Sequence, residues 1–372
     1  MFRHTVRLGR VFGIFIELDY SWFLVFGLLT WVLAVSYYPS EFKNWSMAEY
    51  WFMGALTTVM FFVSVLLHEL GHSLVAMRYK VHVPRITLFI FGGVSEIAGE
   101  APTADAEFWI SVAGPIVSFA LAALFYLLQP LVTPVSPLLA TTKYLALING
   151  MLAVFNLIPG FPLDGGRIFR AILWGVSHNF RKATLIAANT GRFFGFLFIA
   201  FGVWLALRGN FLNGLWIAFI GWFLESAAVA QVQQQVIQGL LAGHKVSEAM
   251  GLVHTAIPAN TTLERIVHDH ILGSGRTSFV VMRDSEIVGL LTLSAISKVP
   301  RAQWPTTTAL QAVIPVEQMQ WIRPDAELWT ALQKMGRDGV NQLPVMADKT
   351  ILGMLSRDDL IHYLGILQAF KA

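Results

Sequence analysis

Residues 68–72 read His68-Glu69-Leu70-Gly71-His72. On a helix, positions i and i+4 share a face, so this spacing aims two imidazoles at one ion with a carboxylate beside them. Neutral imidazoles bind Zn²⁺ at about 2.0–2.1 Å, and zinc lowers the pKa of a bound water toward ~7. Glu69 can take the released proton and later pass it to a leaving amine. H-E-x-x-H is therefore the pattern of a zinc hydrolase. A catalytic zinc also needs a third protein ligand and an open position. The candidate is Asp164, in the run Asn156-Leu157-Ile158-Pro159-Gly160-Phe161-Pro162-Leu163-Asp164-Gly165-Gly166. Two prolines end the preceding helix and the glycines permit close backbone approach, which leaves Asp164 in an irregular loop. The alternative makes Asp164 the N-cap of the next helix. Asn156 can donate to a developing oxyanion or serve as interhelical hydrogen-bonding glue; Asn149 reads as glue.

The elements that must hold these groups are membrane spans. The chain has 372 residues, 55% hydrophobic and 13% charged, against about 25% charged in soluble domains. Its mean hydropathy is +0.60. That much apolar surface must face lipid. The absence of cysteine excludes disulfides, thiolate metal sites and cysteine nucleophiles. A net charge of +3 gives no reason to expect a nucleic-acid partner. Six stretches, 20–38, 51–78, 106–128, 138–158, 190–208 and 211–230, approach the roughly 20 apolar residues a span requires. The basic start, with Arg3, Arg7 and Arg10, leads into long apolar runs without a small-residue cleavage site and reads as a cytoplasmic anchor. Arg78, Lys80 and Arg85 follow span two, and Arg167, Arg170, Arg181 and Lys182 follow span four. By the positive-inside rule both termini are cytoplasmic, which puts His68, His72 and Asp164 at the same end of the bundle.

Segment 85–97, RITLFIFGGVSEI, is β-branched and aromatic around Gly92-Gly93 and predicts a short strand or hairpin. Non-helical backbone at membrane depth lies against protein or a water-filled cavity. A substrate helix must unwind before water can reach its carbonyls, and a strand edge here could pair with the unwound stretch. This makes Gly92 and Gly93 candidate substrate-binding residues; a purely structural hairpin is the alternative. Gly114, Ser118 and Ala122 form a small-residue ridge on span three, and Gly191 and Gly195 another on span five. Both ridges read as helix packing.

Together, HELGH in one span and FNLIPGFPLDGG (155–166) after a later one resemble the site-2 protease family of intramembrane zinc metalloproteases, peptidase family M50. Ser111-x-x-Gly114-Pro115 and Gly92-Gly93 support the match, which covers roughly residues 5–230. The resemblance implies His68, His72 and Asp164 as zinc ligands, Glu69 as the base and Asn156 on the scissile peptide or oxyanion. It also implies regulated cleavage of single-span membrane proteins, such as an anti-sigma factor or a membrane-bound transcription factor.

Beyond about residue 240 charges return and the chain repeats itself. TSFVVMRDSEIVGLLTLSAI (277–296) aligns without gaps to NQLPVMADKTILGMLSRDDL (341–360) at an offset of 64, matching Asp284 to Asp348 and Gly289 to Gly353. Such duplication of a β/α unit predicts one soluble domain. It resembles a pair of CBS modules, 244–299 and 312–370, which commonly bind adenine nucleotides such as ATP or AMP. The family's G-h-h-S/T-x-x-D run implies nucleotide contacts from Thr292, Ser356 and Asp359; Ala295 stands where the first copy would carry its acid. A scaffold or homodimerisation module is the alternative.

The expected architecture is a multi-pass α-helical membrane protein of about six spans with a short membrane-associated β segment (1–235), followed by a soluble α/β CBS pair. The expected location is a plasma or inner membrane, with the lipid bilayer as surroundings and one Zn²⁺ per chain. A transporter or channel with a CBS regulatory domain would account for the spans and tail. It would leave the pairing of HELGH with LDG unexplained.

Overall fold

The computed structural model describes residues 5–90, 92–97, 100–133, 136–252, 256–272, 278–284, 286–315, 318–347 and 350–371. Position 91 in the predicted strand segment, and Arg3 and Asp348, lie outside them. The chain divides into two compact units, residues 1–235 and 236–372.

The first unit opens with two strands, β1 (Thr5–Val11) and β2 (Ile14–Asp19). They pair antiparallel across a two-residue turn, Phe12-Gly13, with positive φ at both positions. This is the turn geometry that matches strand twist. These strands occupy the stretch from the basic start to span one, where the sequence suggested no element. Residues 14–19 alternate toward a buried face, and Ile14, Ile16 and Leu18 enter the core.

The spans follow. Helix α1 (Tyr20–Val32) continues through a wider turn into α2 (Tyr38–Glu41). Helix α3 (Met47–Arg78) starts at a Ser46–Glu49 capping box. Its 32 residues rise about 48 Å at ~1.5 Å each, longer than a hydrocarbon core of about 30 Å. Strands β3 (Arg85–Phe89) and β4 (Gly92–Ser95) form the predicted hairpin. Next come α4 (Ala104–Val132), α5 (Ser136–Asn156), a loop, the short α6 (Asp164–Ser177), α7 (Phe180–Leu207) and α8 (Phe211–Leu241). Among the described residues, six helical stretches are long and apolar enough to cross a membrane.

The four strands join in the order β1-β2-β3-β4, with β2 and β3 parallel. Strand β3 is internal, so the open edges are β1 and β4. The sheet is seated on the last turns of α3: Ile14, Ile16 and Ile86 cluster with Leu70 and Ala76 of α3 and Ile110 of α4. Glu17 is buried at 2% exposure. It is satisfied by Thr5 Oγ1 at 3.1 Å, Arg7 at 2.9 Å and Arg85 at 3.6 Å, as a buried carboxylate requires. This packing places β4 beside Glu69. On the other flank, α7 and α8 touch through glycines: a Cβ at Gly195 would lie 2.9 Å from the Gly221 carbonyl, and one at Gly202 2.5 Å from the Gly214 carbonyl.

In the second unit, short α9 (Val246–Ala249) and β5 (Gly251–Leu252) precede β6 (Ala256–Pro258) and α10 (Leu263–Ile266). Then come β7 (Ser278–Arg283), β8 (Glu286–Thr292), α11 (Leu293–Ile296), α12 (Ala309–Ala312) and β9 (Ile314–Pro315). Helix α13 (Leu328–Asp338), β10 (Gln342–Ala347), β11 (Thr350–Ser356) and α14 (Arg357–Lys371) complete it. Strands β10 and β11 repeat β7 and β8 at the offset of 64. The copies also exchange their first strands: β5 pairs with β11, and β9 with β8. Gly353 and Gly289 allow it, since a Cβ at Gly353 would lie 2.6 Å from the Gly251 carbonyl and one at Gly289 would collide with that of Ile314. Neither sheet is complete without the other copy.

Candidate metal centre

His68 and His72 lie on consecutive turns of α3, both buried. Each ring is fixed from α4. The His72 Nδ1–H donates to the Ile110 carbonyl at 2.6 Å. A carbonyl can only accept, so in the neutral imidazole His72 Nε2 carries the lone pair. His68 Nδ1 lies 2.8 Å from Ser118 Oγ, which can accept its proton and leave Nε2 in the same state.

Asp164 is the first residue of α6. The N-cap is Leu163, without a side-chain cap, so the capping alternative does not hold. The loop from 157 to 163 folds flat against the first turn of α6. A side chain at Gly165 or Gly166 would strike the backbone of Leu157–Ile158 or Gly160–Phe161. The Asp164 carboxylate thereby reaches the histidines: Oδ2 is 3.2 Å from His68 Nε2 and 3.2 Å from His72 Nε2, and the two Nε2 atoms are 3.2 Å apart.

Three acceptor atoms converge at the corners of a near-equilateral triangle. With both imidazoles neutral, these lone pairs repel one another in a buried site and a cation between them relieves it. A tetrahedral ion with bonds of about 2.0–2.1 Å has ligand–ligand edges of about 3.3–3.4 Å. The observed separations fit zinc in both size and donor type. His68, His72 and Asp164 are the one such grouping among the described residues. Gly114 of α4 supplies clearance: a Cβ there would overlap His72 Nε2 and lie 2.6 Å from His68 Nε2. Gly114 and Ser118, which form a packing ridge in the sequence, both also face the histidines.

Glu69, next to His68 on the same helix, reaches toward the sheet. Its Oε2 accepts from Ser95 Oγ at 2.6 Å, and a Cβ at Gly93 would lie 2.5 Å from its Cγ. Gly92 and Gly93 thus lie on edge strand β4, with Gly93 against Glu69. Ser95 escaped sequence reading. The only signal for it was parity, since positions 93 and 95 of a strand face the same side.

Asn156 ends α5, half-buried, and its amide makes no side-chain hydrogen bond among the described residues. Asn149 donates to Ser64 Oγ on α3 at 3.2 Å, the expected interhelical contact. A second unanticipated group braces α6. Arg170, six residues beyond Asp164, is buried against Glu107 of α4, with Nε donating to Oε1 at 2.7 Å. The Phe161 and Phe180 rings lie 5.0 and 4.6 Å from its guanidinium carbon.

In the second unit, Thr292 and Ser356 line a cavity of about 830 Å³ together with Arg357, Asp358 and Asn341. Asp359 is placed differently from the expectation. Its Oδ2 accepts from the Ser356 amide at 2.8 Å and from Ser356 Oγ at 2.6 Å, within the first turn of α14, and the cavity is lined by Ser356, Arg357 and Asp358 rather than by Asp359.

The model of peptidase family M50 matches residues 56–143 and 133–200, and that of the CBS domain matches 312–366. Rip3 of Mycobacterium tuberculosis, provisionally named a zinc metalloprotease, is 32% identical over 98% of this chain and 94% of its own length. A Synechocystis chain with the same provisional name is 31% identical over 97% of this chain and 96% of its own. Among solved structures, the site-2 protease from Methanocaldococcus jannaschii is 33% identical, with a TM-score of 0.43, covering 62% of this chain and 95% of that one.

Proposed function

The chain belongs to peptidase family M50, the membrane zinc metalloproteases of site-2 type, and from that premise we propose that it cuts a peptide bond in or beside a substrate's transmembrane helix, using His68, His72 and Asp164 to hold the zinc. It is a multi-pass membrane zinc metalloendopeptidase with a CBS region. The observation that carries the residue assignment is the 3.2 Å triangle of Nε2, Nε2 and Oδ2.

Zinc, when bound, supplies a Lewis acid and a water activated near neutral pH. Glu69 takes a proton from the attacking water and returns it to the departing amine. Its half-buried carboxylate, held by Ser95, starts in one orientation. The free amide of Asn156 donates to the oxygen that gains charge. Edge strand β4 receives the unwound substrate as an added strand. Glu96 N donates inward to the Arg85 carbonyl at 2.9 Å, so by antiparallel alternation the amides of Gly93 and Ser95 face the open edge.

Lys and Arg residues flanking α3 and α6 support cytoplasmic termini and a cytoplasmic catalytic end in a plasma or inner membrane. The substrates are single-span proteins, of which anti-sigma factors and membrane-bound transcription factors are the fitting class. The cavity beside Thr292 and Ser356 suits an adenine nucleotide as a regulator, and the CBS pair is a candidate homodimer surface. The test of the activity is co-expression with single-span candidates: wild type cleaves, whereas Glu69→Gln keeps its zinc and does not. Equal processing by both chains would remove the peptidase reading.

A further inference from the structure

We infer that Ser95 is a positioning residue for Glu69, so that the strand offering its edge to substrate also aims the base. The inference rests on the peptidase reading above. Ser95 Oγ has one proton. Glu69 Oε2 lies at 2.6 Å and the Glu69 carbonyl at 3.4 Å, so the proton goes to the carboxylate. Ser73 closes the arrangement from α3: its Oγ donates to the Glu69 carbonyl at 2.8 Å and lies 3.2 Å from Ser95 Oγ.

One carboxylate oxygen is thereby held, and Oε1 is left to exchange a proton with the reacting atoms. A glutamate has three rotatable side-chain bonds, and on a helix its unrestrained carboxylate sweeps a wide arc. Two contacts remove that freedom. Gly93 sets the depth, because its missing side chain is where the Glu69 stem lies. Ser95 sets the rotation. Both project from the same face of β4, whose register is fixed by the pairs Leu88↔Gly93 and Ile86↔Ser95. Orientation of the base is thus inherited from the sheet rather than from α3 alone. A misplacement of about 1 Å in such a group costs up to about 100-fold in rate.

The test compares Ser95→Thr with Ser95→Val in the full chain, two β-branched side chains of equal shape that differ in the hydroxyl. Cleavage of a single-span substrate is measured with kcat and KM separated, alongside zinc content and thermal midpoint. The inference expects Ser95→Thr to stay within about twofold of wild type. Ser95→Val should lose about tenfold or more in kcat at unchanged KM, with zinc and midpoint equal in the two variants. Equal kcat for the Thr and Val chains overturns it. So does a Val defect confined to KM or accompanied by loss of zinc. Glu69→Gln runs in the same assay: if it cleaves like wild type, the peptidase reading fails instead, and the two failures are told apart.

Discussion

Gly114 and His72 occupy adjoining space: a methyl group on Gly114 would overlap the imidazole Nε2 that faces the triangle. Gly114→Ala should therefore cost the centre its zinc while every proposed ligand is still present. Metal analysis of the purified variant checks this, with less than about a tenth of wild-type zinc expected, because a close-packed site has no room to yield. Wild-type zinc in Gly114→Ala would mean that α4 can retreat and that the glycine serves packing alone.

The Arg170–Glu107 pair ties α6, and with it Asp164, to α4. Removing one partner of a buried ion pair leaves an unpaired charge and costs about 3–5 kcal/mol. Arg170→Met should lower the thermal midpoint and weaken zinc retention. The double variant Arg170→Met with Glu107→Leu should regain much of the midpoint, because no charge is then stranded. Equal instability of single and double variants would assign the loss to the aromatic packing around the guanidinium.

Strand addition at β4 depends on alternate substrate amides. Single N-methylation of substrate residues next to the cut should raise KM about two- to tenfold at every second position and leave intervening positions near wild type, each lost hydrogen bond counting for about 0.5–1.5 kcal/mol. A flat response along the substrate would argue against an added strand. Proline in 86–89 is not a clean test, because β3 is paired on both sides.

The cavity at Thr292 and Ser356 should bind an adenine nucleotide, and filling it should alter proteolysis. Titration of ATP and AMP into the full chain should give saturable binding that Arg357→Ala weakens, whereas Asp359→Asn should act through the stability of α14. Unchanged cleavage at saturating nucleotide would leave the tail without this regulatory role.

Much of this was legible in the sequence. Six spans follow from apolar run lengths, and HELGH with a later LDG is informative because helical spacing and chain-breaking residues each have one geometric consequence. The 64-residue repeat gave β7, β8, β10 and β11 because gapless duplication repeats structure. What was hidden depended on residues far apart in the chain. Ser95, Ser118 and Ile110 meet the HELGH groups only through tertiary packing, and a lone serine carries no signal of its partner. Strands β1 and β2 were missed because a basic, apolar stretch before a span reads as its flank. Asp359 fits a nucleotide motif and a capping motif equally well, and its Oδ2 makes the local bond to Ser356.

What surrounds the zinc decides the ligand assignment most directly. X-ray absorption at the zinc edge, on wild type and Asp164→Ala, reports it. The expected wild-type spectrum has one zinc per chain with two imidazole nitrogens and carboxylate or water oxygen at about 2.0–2.1 Å. Loss of metal or of an oxygen scatterer is expected in Asp164→Ala. A wild-type chain without zinc, or identical spectra from the two proteins, would contradict it.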